Sequence, residues 1–178
     1  MLVAKQLADL ITLSRMLLAF GLAWLGITHG PAGLPLAAWL MIANWTGDCL
    51  DGPIARRSRV YYHTWIGDHD LETDIVVSLG LLAYLVAARY VDLWLAVAYL
   101  LIWLAIFWRW GILKSLGMLI QAPIYGWFIL VAVRDAPTAG GWIVIWITAA
   151  IVITWPKFPK EIVPGFLAGM KQVWKRRH

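Results

Sequence analysis

Two pairs of aspartates have the types and spacing to do chemistry together. Asp48 and Asp51 are three residues apart and Asp70 and Asp74 four, so each pair falls on one face of a helix. All four lie in GDCLDGPIARRSRVYYHTWIGDHDLETD, Gly47 to Asp74, which holds six of the ten acidic residues of a 178-residue chain. If the two faces oppose each other, the carboxylates repel and are driven toward protonation unless something positive sits between them. Oxygen donors of this kind suit hard cations, and two divalent ions, Mg2+ or Mn2+, would neutralise all four. An anionic substrate could complete the coordination. Solvated helix capping near a positive helix N-terminus is the other use of such acids, and it suits Asp68 and Glu72. It suits the four spaced aspartates less, because ionisable groups at membrane-helix depth are costly and tend to mark function.

The elements that must position these residues follow from composition. The chain is 62% hydrophobic and 14% charged, with 13 tryptophans and a mean hydropathy of +0.74. That lies outside the range of soluble globular domains and points to an integral membrane protein. Apolar segments run over about 10–28, 34–52, 70–88, 92–109, 115–133 and 140–156, each near the ~20 residues that cross a bilayer core. HGPAGLP, the arginine-rich segment and RDAPTAGG separate them. The expected fold class is an all-α membrane protein, a bundle of six transmembrane helices with a cytoplasm-facing site. Residues 1–163 would form the catalytic domain and 164–178 a basic amphipathic cytoplasmic tail lying along anionic headgroups.

Orientation follows from Lys and Arg. Lys5, Arg56, Arg57, Arg59, Arg109, Lys114, Lys157, Lys160, Lys171, Lys175, Arg176 and Arg177 fall on one side, and only Arg89 and Arg134 on the other. The positive-inside rule then puts both termini in the cytoplasm, in a multi-pass protein of the plasma (inner) membrane. The net charge of +5 is thus a topology signal rather than a nucleic-acid surface. Most tryptophans sit near helix ends, where indoles belong at headgroup level. The single cysteine, Cys49, excludes an intrachain disulfide and is read as packing. His69 points away from the Asp70 and Asp74 face and is left out of the site.

The run Asp48-Cys-Leu-Asp51-Gly52-Pro-Ile-Ala55-Arg56, followed by Asp70-Leu-Glu-Thr-Asp74, resembles the signature of the CDP-alcohol phosphotransferases, D-x2-D-G-x2-A-R-x8 or 9-G-x3-D-x3-D. Those are integral membrane enzymes with six transmembrane helices. One position departs: the pattern expects glycine at Ile66, whereas this chain has Gly67, which re-registers the start of the third helix. The resemblance implies transfer of a substituted phosphate from a CDP-linked donor, CDP-diacylglycerol in most bacterial members, to an acceptor hydroxyl with release of CMP. It implies that Asp48, Asp51, Asp70 and Asp74 hold two divalent ions, with Asp74 also the general base. Gly52 and Ala55 would leave room for the nucleotide, and Arg56 offers a fork for phosphate. Thr12 and Arg15, in the first helix, resemble the family's pattern there and could face the nucleotide or stabilise the acidic site; snorkelling of Arg15 to the interface is the competing use.

Arg109, Lys114, Lys157 and Lys160 could bind a phosphate on the acceptor, against a purely topological role. They motivate a phosphorylated polyol such as glycerol 3-phosphate, with inositol phosphate, serine, choline or a lipid as alternatives. The expected partners are the CDP-linked donor, a polar alcohol and the bilayer, with a homodimer compatible and no nucleic acid. Two other classes share some features. Intramembrane prenyltransferases use Mg2+-diphosphate chemistry but carry aspartate-rich motifs on two separated helix pairs and have more helices. A cation transporter would need acids along its path, and helices 4 to 6 offer nothing comparable.

Overall fold

The structure, a computed structural model, describes residues 4–56, 70–155, 159–160 and 163–175, with the side chains at 4, 5, 7, 8, 51–56, 70, 163 and 172–175 outside the description. Among the described residues the fold is all-α, without strands. It comprises α1 (Ala4–His29), α2 (Leu34–Arg56), α3 (Asp70–Ala87), α4 (Leu93–Trp110), α5 (Lys114–Asp135), α6 (Pro137–Thr154) and α7 (Val163–Lys175), with a 3-10 turn at Gly30–Gly33 between α1 and α2.

Local chemistry sets these boundaries. Gly30 takes φ +54°, a left-handed conformation that strains residues with a Cβ, and Pro31 starts the turn that follows. The Asp92 carboxylate accepts from the Trp94 and Leu95 amides at 2.8 and 3.3 Å and so caps α4. Gly111, at φ +77°, ends it. Pro137 opens α6, where its missing N–H costs nothing.

Four stretches among the described residues are long and apolar enough to cross a membrane: Asp9–Leu50, Leu93–Trp110, Lys114–Asp135 and Pro137–Thr154. The first is 42 residues, about twice the ~20 that one crossing needs, and the 3-10 turn divides it between α1 and α2. The surface of α1 has the character of a lipid-facing helix. Leu10, Leu13, Leu17, Phe20, Trp24 and Ile27 recur at steps of three and four and are all exposed, while Thr12, Arg15, Ala19, Leu22 and Leu25 form the buried stripe opposite. Water would penalise that outer stripe, whereas hydrocarbon leaves it at no cost and favours small and polar residues between helices.

The chain divides into two compact units, Met1–Tyr90 and Val91–His178. In the first, α1 packs against both α2 and α3. A Cβ added at Gly80 would strike the Ala19 carbonyl and lie 2.7 Å from Ala19 Cα; one added at Gly26 would lie 2.9 Å from Tyr84 Cα. Residue numbers rise together along both helices at these contacts, so α3 runs parallel to α1. On α2, Gly47 faces Ile11 and Arg15, while Gly33, just before the helix, faces Leu25, so α2 runs antiparallel to α1. The end of α2, the start of α3 and the first half of α1 therefore lie on one side of this unit. Met41, Val77, Leu81, Tyr84 and Leu85 fill its core, and the Tyr84 hydroxyl donates to the Gly30 carbonyl at 3.3 Å.

In the second unit, Gly140 brings α6 against the backbone of Ala132 on α5. The Tyr99 hydroxyl on α4 donates to the Ile120 carbonyl at 2.5 Å, in the turn before Pro123. The expected tail contains a real helix, α7, with Phe166, Gly169 and Met170 half-buried while Leu167 and Lys171 are exposed. It packs on α5, where the Ser115 hydroxyl donates to the Phe166 carbonyl at 3.2 Å.

The close approach of α1 and α3 makes a contrast between two glycines. Gly80→Ala has to push backbone away from backbone and should cost about 1–3 kcal/mol, as overpacking does. Gly21, on the same α1 but with nothing within 4 Å of an added Cβ, should accept alanine neutrally or gain up to about 1 kcal/mol. Unfolding of both variants in detergent checks the pair, and equal stabilities would refute the packing described here.

Candidate functional site

Arg15 comes from the fourth turn of α1, inside an apolar stretch, and its side chain is only 3% exposed. It does not snorkel outward. Its stem lies against α2 where Gly47 leaves space: a Cβ there would be 3.4 Å from Arg15 Cδ. At the head, Nε donates to Asn44 Oδ1 at 3.2 Å, and Nη2 donates to Asp48 Oδ1 at 2.9 Å and also to Asp74 Oδ1. One guanidinium nitrogen thus meets a carboxylate from α2 and another from α3.

The local reasons are simple. Asn44 and Asp48 are four apart on α2 and share the face turned to α1. Asp74 lies in the second turn of α3, six residues before Gly80, which docks in parallel on Ala19, and that register places it beside Arg15 of α1. Thr12, one turn before Arg15, is buried, and so is Thr73 beside Asp74. Exposure rises outward: the side chain of Asp74 is 26% exposed and that of Asp48 43%. The site is therefore a buried cation whose two acidic partners open toward the outside.

Of the residues singled out from the sequence, Arg15, Asp48 and Asp74 are brought together and Thr12 lies buried next to them. Asp51, Gly52, Ala55 and Arg56 continue α2 and Asp70 begins α3, but their side chains fall outside the described residues, as do Lys157, Arg57 and Arg59 altogether. Among the described residues, which leave out the side chains of Asp51 and Asp70, no three of His, Cys, Asp and Glu gather as a metal site. Arg109, Lys114 and Lys160 belong to the second unit. Arg109 is exposed, with its guanidinium carbon 5.5 Å from the centroid of the Trp110 ring; Lys114 opens α5 and Lys160 is also exposed.

Asn44 and Gly47 adjoin Arg15 in the structure and were not singled out from the sequence. The signal for Asn44 was present, since an amide in an apolar helix, one turn from Asp48 on the same face, is costly unless it has work to do. Gly47 carried no comparable signal, because its meaning depends on which side chain crosses it.

Of the described residues, Asp48 and Asp74 are the ones that could contribute oxygen ligands to a divalent cation. Carboxylate oxygens of two helices converge on one positively charged nitrogen, so they already lie where a small hard cation could be shared, and oxygen ligands are what Mg2+ and Mn2+ take. Arg15 offsets one of the two negative charges of Asp48 and Asp74. No protein-family model, curated protein or solved structure matches the chain.

Asn44→Leu tests the geometry of the buried head group. The change removes the acceptor of the Nε–H bond and leaves that donor buried, a loss of about 1.5–3 kcal/mol for a hydrogen bond to a charged group. Thermal unfolding in detergent should fall accordingly, and Asn44→Asp, which restores an acceptor, should lose less. An Asn44→Leu variant as stable as the wild type would show that the bond is not made.

Proposed function

We propose that the chain is a CDP-alcohol phosphotransferase of phospholipid synthesis, which moves a phosphatidyl group from CDP-diacylglycerol to an acceptor hydroxyl and releases CMP. The observation that carries this reading is the meeting of Asp48 and Asp74, the first and last aspartates of the signature-like run, on one nitrogen of Arg15. Residues 26 positions apart in sequence come to a point in space, as a shared cation site demands.

In this reading the membrane domain has six spans. The 42-residue stretch contributes two, α4, α5 and α6 one each, and α3 the sixth. The charged residues of α3, Asp70, Glu72 and Asp74, all lie in its first five positions, and Ile75 to Ala87 is uncharged. The aspartate end faces the cytoplasm, where the Lys and Arg residues concentrate.

Asp48, Asp51, Asp70 and Asp74 would hold two divalent ions. Bound there, the ions supply charge neutralisation on the donor's diphosphate and on the departing CMP. The chain's own residues do the rest. Asp74 takes the proton of the acceptor hydroxyl as its oxygen forms a bond to the phosphatidyl phosphorus, while the bond from that phosphorus to the CMP oxygen breaks and its electron pair leaves with CMP. Arg15 and Asn44 fix the orientation of Asp74 and Asp48 from behind. Gly52 and Ala55 leave room for the nucleotide, and Arg56 binds phosphate.

The acceptor in this reading is a phosphorylated polyol such as glycerol 3-phosphate, bound through Arg109, Lys114, Lys157 and Lys160. Purified protein with labelled CDP-diacylglycerol, glycerol 3-phosphate and Mg2+ or Mn2+ should release CMP, and EDTA should abolish the release. Full activity after metal removal, or consumption of a prenyl diphosphate in its place, would contradict the proposal. Asp74→Asn should lower kcat by about 10²-fold or more with a much smaller effect on the donor's KM, since a base acts in the transition state. Loss of donor affinity alone would make Asp74 a ligand only.

The acceptor assignment has its own test. Alanine at Lys114, Lys160 or Arg109 should raise KM for glycerol 3-phosphate and leave that of the CDP-lipid nearly unchanged. An enzyme that prefers an unphosphorylated alcohol, with these variants silent, would replace the phosphorylated acceptor with serine or an amino alcohol.

A further inference from the structure

We propose that Arg15 is the internal counter-cation of the acidic site: it holds Asp48 and Asp74 together before divalent ions arrive, and then competes with those ions for the two carboxylates. The proposal rests on the metal-site reading of the four aspartates and adds to it a residue that sets how tightly the metal is held.

Three observations carry it. The guanidinium is inside the protein, at 3% exposure, and braced from one side by Asn44. Its Nη2 serves both carboxylates, so its charge is delivered to the point where the two helices' acids converge. The side chains of both acids are also partly exposed, at 43% and 26%, whereas the guanidinium is buried. Two acids on one nitrogen leave the three groups with a net charge of −1. Arginine thus lowers the repulsion among the acids without removing it.

Two opposite effects on metal binding follow from this geometry, and they have different signs. As a neighbouring positive charge Arg15 repels a divalent ion; a unit charge a few ångströms from such an ion is worth on the order of tenfold in affinity even at the dielectric constant of water. As an organiser it would hold the ligands in place and strengthen binding. The counter-cation role requires the first effect to win.

The full-length chain, stripped of metal in detergent, is titrated with Mn2+ while free Mn2+ is followed by electron paramagnetic resonance, for the wild type, Arg15→Gln and Arg15→Lys. Thermal unfolding is recorded with and without Mn2+. Arg15→Gln should bind Mn2+ about tenfold more tightly than the wild type. Its metal-free form should melt lower, and Mn2+ should raise its Tm by more than it raises that of the wild type, since an ion that binds only the folded state stabilises it by mass action. Arg15→Lys keeps the charge and should stay within about threefold of the wild-type affinity. Mn2+ binding by Arg15→Gln that is equal to or weaker than that of the wild type overturns the proposal alone. If neither the wild type nor the variants bind Mn2+, the metal-site reading falls and this proposal with it. Should Arg15→Gln fail to fold without metal, recovery when Mn2+ is present throughout supports the counter-cation role, and failure to recover overturns it.

Discussion

A guanidinium buried in an apolar helix must be paired, and much of the first unit can be understood from that demand. Removing an ion from water costs several kcal/mol even after the protein relaxes, and only close opposite charge with further hydrogen bonds offsets it. Arg15 meets the condition with Asp48, Asp74 and Asn44, which come from two other helices. Slipping either helix by one residue along α1 would carry an acid off the guanidinium. The pairing therefore fixes register in a bundle where lipid offers no hydrophobic force to choose one.

The small residues make that pairing reachable. Gly47 lets the arginine stem cross α2, and Gly80 and Gly26 let α3 approach α1 backbone to backbone. Replacing Gly80 or Gly26 would move α3 away from α1 and from the charge that must be neutralised. The outer stripe of α1, from Leu10 to Ile27, is apolar and exposed for the complementary reason: hydrocarbon accepts it, so the polar and small residues are the ones turned inward. Stability, membrane solvation and the acidic site thus draw on the same helix from opposite faces.

Much of the helical layout could be read from the chain, because apolar runs of bilayer length bounded by Gly, Pro and charge leave few alternatives. The 3-10 turn at Gly30–Gly33 falls in HGPAGLP, and α4 starts at Leu93, just after Asp92, a residue suited to capping. Asp48 and Asp74 were singled out too, each through its spacing from a second aspartate on its own helix, Asp51 and Asp70. What the sequence left open was the partner. It suggested that α2 and α3 oppose each other, whereas among the described residues both pack chiefly against α1, and Arg15 lies between their acids. That arrangement depends on the parallel docking of Gly80 on Ala19, a contact between residues 61 apart that have no charge or motif to announce it. Asn44 was missed because a single amide is conspicuous only once the arginine it braces has been placed.

In the proposed function, the acids gathered on Arg15 belong to a site for two divalent cations. Metal-free protein loaded with Mn2+ and examined by electron paramagnetic resonance measures this directly, through the number of ions bound per chain and the coupling between their spins. A two-ion site gives two Mn2+ per chain with mutually coupled spectra, and loss of the coupled signal in both Asp48→Asn and Asp74→Asn. A single ion whose binding ignores both aspartates, or no Mn2+ bound at millimolar concentration, would contradict it.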